Sequence, residues 1–129
     1  MDGILLRAVT ALLFVIVGIV NLLPVTGMLG TERMASAYRV SIDTPDLAIL
    51  MKHRAMLFAI VGGLLIASAF RPELRTVATM VGLVSMLGFA VIYFSEGGNS
   101  ALARIAWIDI IASLALVLAY SLHLFRDRT

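Results

Sequence analysis

Residues 101–125 read ALARIAWIDIIASLALVLAYSLHLF, and this stretch decides the fold class. It holds one carboxylate (Asp109), one arginine (Arg104) and one histidine (His123) in an otherwise apolar run. A bilayer core about 30 Å thick takes about 20 helical residues to cross, so the run is long enough to span it. Residues 4–23, 47–70 and 76–94 are runs of the same kind. Hydrophobic residues make up 61% of the chain and charged residues 14%, with a mean hydropathy of +1.04. A soluble domain carries about 25% charged residues. At 129 residues the sequence reads as one domain, residues 1–129, all-α, an integral membrane four-helix bundle.

The connections set the expected topology. Asp2 is a suitable cap for the first helix, and Pro24 and Gly27 interrupt its pattern. Residues 24–46 form the only sizeable loop, an interfacial segment. It is expected to hold a short amphipathic helix capped by Thr31, with Met34, Ala35 and Tyr38 turned toward lipid or protein. Thr44, Pro45 and Asp46 start the second long helix, with a capping hydroxyl, a proline suited to the first turn and an acid at the positive dipole end. Pro72 and Glu73 start the third in the same way, and Asn99 or Ser100 caps the fourth. Short links force neighbouring helices antiparallel, so an up-down-up-down bundle is expected.

Several functions are excluded by what is missing. The net charge of +2 comes from scattered basic residues, whereas a nucleic-acid face needs a dense basic stripe. Without cysteine there is no disulfide, thiolate metal site or nucleophilic thiol. No glycine-rich phosphate loop, His-Glu-x-x-His or Gly-x-Ser-x-Gly motif occurs. His53 and His123 fall at opposite faces and make no metal or haem pair, so neither a metal nor another cofactor is expected. Ala35-Ser36-Ala37 lies too far beyond the first run for signal cleavage, so that helix is expected to be retained. Arg7, Arg71, Arg75, Arg126 and Arg128 fall on the side of the termini, and the opposite side carries Glu32, Asp43, Asp46 and Glu96. The positive-inside rule then leans toward cytoplasmic termini.

Asp109 is the most unusual residue, roughly 12 Å into its helix at 1.5 Å per residue. A lone carboxylate in a membrane span costs several kcal/mol unless it is paired, protonated or hydrated. Lys52, His53 and Arg54 lie at the corresponding level of the second helix, and Asn21 ends the first there. Asn21, His53, Arg54, Arg104 and Asp109 can therefore form one polar cluster under the 24–46 loop, with Asp109 paired to Arg54 or His53. Two readings stand: a pocket for a polar or anionic head group or a His53–Asp109 proton relay, and an ion pair that sets helix register. His123 reads as interfacial, and Trp107, Tyr38, Tyr93 and Tyr120 as an aromatic belt. Gly18, Gly62, Gly63, Gly82 and Gly88 allow close helix approach. The likeness of Phe14-Val15-Ile16-Val17-Gly18 to Phe58-Ala59-Ile60-Val61-Gly62 reads as chance in so apolar a chain.

Arg7 and the run Gly18-Ile19-Val20-Asn21-Leu22 resemble the pattern of the DoxX-like small bacterial membrane proteins, an arginine and then a glycine followed by lysine-leucine. Asn21 stands where lysine is usual, and His53-Arg54 stands where that group often has a carboxylate. The resemblance implies a four-helix bundle in the bacterial inner membrane. His53-Arg54-Ala55-Met56-Leu57-Phe58, with Gly62-Gly63 and Ala67-Ser68-Ala69-Phe70, is also similar to Gram-negative membrane proteins that carry the label phosphopantetheine adenylyltransferase. The enzyme of that name is a soluble nucleotidyltransferase with a Thr/His-x-Gly-His loop, which this chain does not have. The expected function is binding of a lipid-like molecule or service as an accessory subunit of a membrane complex. The alternatives are a membrane enzyme acting on a lipid through His53 and Asp109, and a small dimeric transporter. Expected partners are membrane lipids and a membrane protein or second copy of the chain, and not nucleic acid.

Overall fold

The computed structural model describes residues 2–128. Helix α1 (Gly3–Leu22) continues into a 3₁₀ segment (Leu23–Leu29), followed by the short α2 (Thr31–Tyr38). The long α3 (Pro45–Phe70) is joined by a 3₁₀ turn (Pro72–Leu74) to α4 (Arg75–Glu96), and α5 (Ser100–Asp127) ends the chain. The described residues are all-α, without a strand. Four stretches (Gly3–Val25, Pro45–Phe70, Pro72–Glu96 and Ser100–Asp127) are long and apolar enough to cross a membrane.

The helix starts follow local chemistry. The first backbone N–H groups of a helix have no partner within it, so a side-chain oxygen is needed there. Asp2 accepts from Leu5 N at 2.8 Å, Thr44 from Leu47 N at 3.2 Å and Asn99 from Leu102 N at 2.9 Å. Thr31 does not cap α2. The 3₁₀ segment runs to Leu29 and leaves Gly30 as the cap residue without a side-chain bond, so Thr31 is already helical. Gly97 closes α4 at φ 73°, a left-handed conformation that glycine adopts at no steric cost.

Helices α1, α3, α4 and α5 form a ring, each packed against its two neighbours. Phe14, Leu65, Met86 and Leu116 are fully buried at its centre. The closest approach joins α1 to α3. A Cβ on Gly62 would stand 2.7 Å from the Gly18 carbonyl oxygen, and one on Gly18 would stand 2.9 Å from that of Gly62. Gly18 and Gly62 are the final residues of the two similar pentapeptides, so the likeness coincides with a reciprocal backbone contact. Gly63 and Gly88 have nothing within 4 Å of an added Cβ and serve no packing of this kind.

The outward surface is apolar. Only 17–33% of the most apolar window of each long helix is buried. Leu50, Val84, Val91 and Leu114 are each about two-thirds exposed or more. Water would drive such a surface to associate, whereas acyl chains solvate it. The pattern suits a multi-pass membrane protein.

Polar side chains collect at the two ends of the ring. Asn21 of α1, Arg54 of α3 and Asp109 of α5 mark one end, beneath the 24–46 loop. Ser68, Arg75 and His123 mark the other.

Candidate functional site

Arg54 lies about two and a half turns into α3. Its guanidinium carbon is 4.6 Å from the ring centre of Phe58, one turn further along the same face. It is 5.2 Å from Tyr38 of α2 and 5.2 Å from Phe89 of α4. Three aromatic faces therefore replace water around the cation, an attraction worth about 0.5–2 kcal/mol for each well-placed ring. Arg54 Nη1 donates to Tyr38 Oη at 3.0 Å. Among the described residues no other acceptor takes a hydrogen from this guanidinium.

Tyr38 ends α2, and Arg39 stops the helix at φ 53°. The Asn99 amide holds this corner. Its nitrogen donates to the carbonyls of Tyr38 and Arg39, both at 3.0 Å, while its oxygen caps α5. Arg39 adds a bond to Ser100 Oγ at 3.0 Å. The loop thus delivers a tyrosine into the ring because an asparagine at the far end of the sequence anchors it. Of the two expected orientations, toward lipid or toward protein, Tyr38 takes the second and is buried against Arg54.

Arg54, Tyr38, Asn21 and Asp109 line a cavity of about 100 Å³ whose remaining walls include Val20, Phe58, Ile105 and Ile108. Asp109 is 8% exposed, and among the described residues no donor reaches its carboxylate. Asn21 commits its amide nitrogen to Val17 O at 2.9 Å and Met86 Sδ at 3.5 Å, which leaves the amide oxygen as its remaining polar atom. The cavity therefore pairs a cationic donor with two acceptors.

Two further spaces adjoin it. A cavity of about 220 Å³ under α2, reached past Arg33 and Met34, shares Leu23, Pro24, Tyr38 and Ile105 with the first. A groove of about 190 Å³ between α1 and α5 shares Val20 and Ile108, and is otherwise walled by Ile16, Val17, Ile111, Ala112 and Ala115. The polar cavity thus adjoins an apolar groove, with Val20 and Ile108 common to both linings.

The structure brings together Asn21, Arg54 and Asp109 from the expected cluster. His53 and Arg104 are exposed and line none of these spaces. Successive helical residues diverge by about 100°, so with Arg54 inward His53 faces outward. The expected ion pair of Asp109 with Arg54 or His53 does not form among the described residues. Arg54 instead turns to Tyr38 and its aromatic neighbours. No group of three metal-ligating side chains occurs among the described residues.

A second polar centre, at the far end, did not stand out in the sequence. Arg75 is 3% exposed, and His123, near the end of α5, is buried too. Arg75 Nε donates to Ser68 O at 3.0 Å and Nη2 to Ala69 O at 2.9 Å. These carbonyls end α3 and have no partner within the helix. Nη1 lies 3.3 Å from His123 Nδ1, the guanidinium carbon stands 5.4 Å from the ring centre of Phe14, and His123 Nε2 lies 3.5 Å from Asp127. Both arginines thus meet the phenylalanine that opens one of the two similar pentapeptides. That was the one available sequence signal for Arg75.

Comparison with known proteins returned no matching family model, no similar curated protein and no similar solved structure.

Proposed function

We propose that the chain is a multi-pass bacterial inner-membrane protein of the DoxX-like type that binds a lipid-like molecule, its polar head held by Arg54 in the cavity under the loop. In this reading the bundle inserts up-down-up-down with cytoplasmic termini. One observation carries the proposal: Arg54 gives a single hydrogen bond to protein while lining a cavity that has an apolar groove beside it. A guanidinium left with several free donors is suited to an anionic or carbonyl head group.

Depth supports it. Helix α1 has 20 residues, about 30 Å at 1.5 Å per residue and equal to the hydrocarbon thickness. Asn21 is its penultimate residue, so a transmembrane α1 sets the cavity at the boundary where lipid head groups lie. A reading as an enzyme working through His53 and Asp109 has less support, because His53 is exposed outside the cavity.

The test is native mass spectrometry of the full chain released from membranes in mild detergent. A retained lipid is expected, and Arg54→Met should lose it while the helical circular dichroism signal is unchanged. A wild-type chain that carries no lipid, or an Arg54→Met chain that carries as much, would overturn the proposal.

A further inference from the structure

The cavity is not simply a cationic hole, and its charge pattern narrows the ligand. Arg54 supplies N–H donors to the cavity. Asp109 and the amide oxygen of Asn21 supply acceptors to the same cavity, and no hydrogen bond from a donor among the described residues reaches them. A purely anionic head group would pair with Arg54 but would press its charge against Asp109. A head group with acceptors alone would leave Asp109 without a hydrogen-bond donor, an arrangement that buried polar groups avoid. A head group that carries an anion and an ammonium a few bonds apart satisfies the donor and the acceptors at once.

Resting on the lipid-binding reading above, we infer that the site selects a zwitterionic phospholipid whose head ends in a primary ammonium. The phosphate meets Arg54, the ammonium N–H groups meet Asp109 and Asn21, and one acyl chain leaves past Val20 and Ile108 into the groove between α1 and α5. The occupant is a membrane lipid rather than a free polar metabolite, because the cavity adjoins, at Val20 and Ile108, a groove with almost no polar lining. Asp109 then has a role that neither a register-setting ion pair nor a proton relay requires: it reads the sign of the outer half of the head group.

The experiment exchanges the purified full chain into nanodiscs of equal parts phosphatidylethanolamine and phosphatidylglycerol. Lipid that stays bound on transfer to detergent is then counted by native mass spectrometry. Wild type should retain the ethanolamine lipid over the glycerol lipid by about tenfold, the ratio that 1.4 kcal/mol of discrimination gives. Asp109→Asn should bring that ratio to within about threefold, through loss of the ethanolamine lipid. Equal retention of both lipids by wild type, or an Asp109→Asn chain with unchanged preference, would overturn the inference. The wild-type ratio decides the matter even where Asp109→Asn fails to fold. Lipid bound without preference would sink this inference alone, whereas no retained lipid at all would sink the underlying reading with it.

Discussion

The two ends of the bundle each set an arginine against a phenylalanine, and they use it in opposite ways. Arg75 is closed: its three nitrogens reach two helix-terminal carbonyls and a histidine ring, and it is 3% exposed. Arg54 is open: one bond goes to Tyr38, its charge is shielded by aromatic faces, and it looks into a cavity beside a carboxylate without a donor. A buried cation costs several kcal/mol unless its hydrogens are taken up. Where protein takes them up, the group stabilises the fold. Where protein leaves them free, the fold tolerates the group and a ligand completes it. The charge is alike at the two ends, but Arg75 is buried and Arg54 half-buried, and the inventory of hydrogen-bond partners separates structure from binding.

The largest effect is expected from Arg75→Met. It leaves the Ser68 and Ala69 carbonyls without donors, and at about 1–3 kcal/mol for each unsatisfied buried group it should cost about 3 kcal/mol. Thermal unfolding in detergent measures this, and a melting temperature within a degree or two of wild type would break the contrast between the ends. Next comes Gly62→Ala, whose Cβ meets the Gly18 backbone between the two ends. Overpacking there should cost about 2 kcal/mol. Gly63→Ala, next to it in sequence but with open space around it, should leave the melting temperature near wild type or slightly above it.

Arg54→Met should cost less stability than Arg75→Met, because it leaves no helix-terminal carbonyl without a donor and an apolar chain fits the aromatic surround. Its effect belongs in lipid retention, which is the reverse of the Arg75→Met outcome. If both substitutions destabilise equally, the open and closed description fails. The smallest effect on lipid retention is expected from Tyr38→Phe. The ring stays against Arg54 and a single hydrogen bond goes, so a loss of about 0.5–1.5 kcal/mol or less is expected. Retention should be weakened rather than abolished, as the same mass-spectrometric count would show.

The long helices were legible because their cause is local. Apolar runs of the right length, Pro45 at a helix start and the capping oxygens of Asp2, Thr44 and Asn99 act within a few residues of themselves. Thr31 was misread because its capping role depended on where the preceding 3₁₀ segment ended. The site was legible in part. Asn21, Arg54 and Asp109 could be placed at one level by counting along helices, but counting does not give rotation about the helix axis. His53 and Arg104 were included at the right depth and on the wrong face. Tyr38 was missed because a residue in the long loop has no depth until Asn99 fixes the corner.

The amino-acid sequence by itself determined that the chain is helical and that four of its helices can cross a bilayer, because length and hydropathy are sums over neighbouring residues. It also placed a few polar groups near the 24–46 loop. Only the tertiary structure decided which of them share a cavity and which arginine is satisfied. Hydrogen bonds and aromatic contacts between helices depend on helix rotation, and rotation is set by packing such as the Gly18–Gly62 contact.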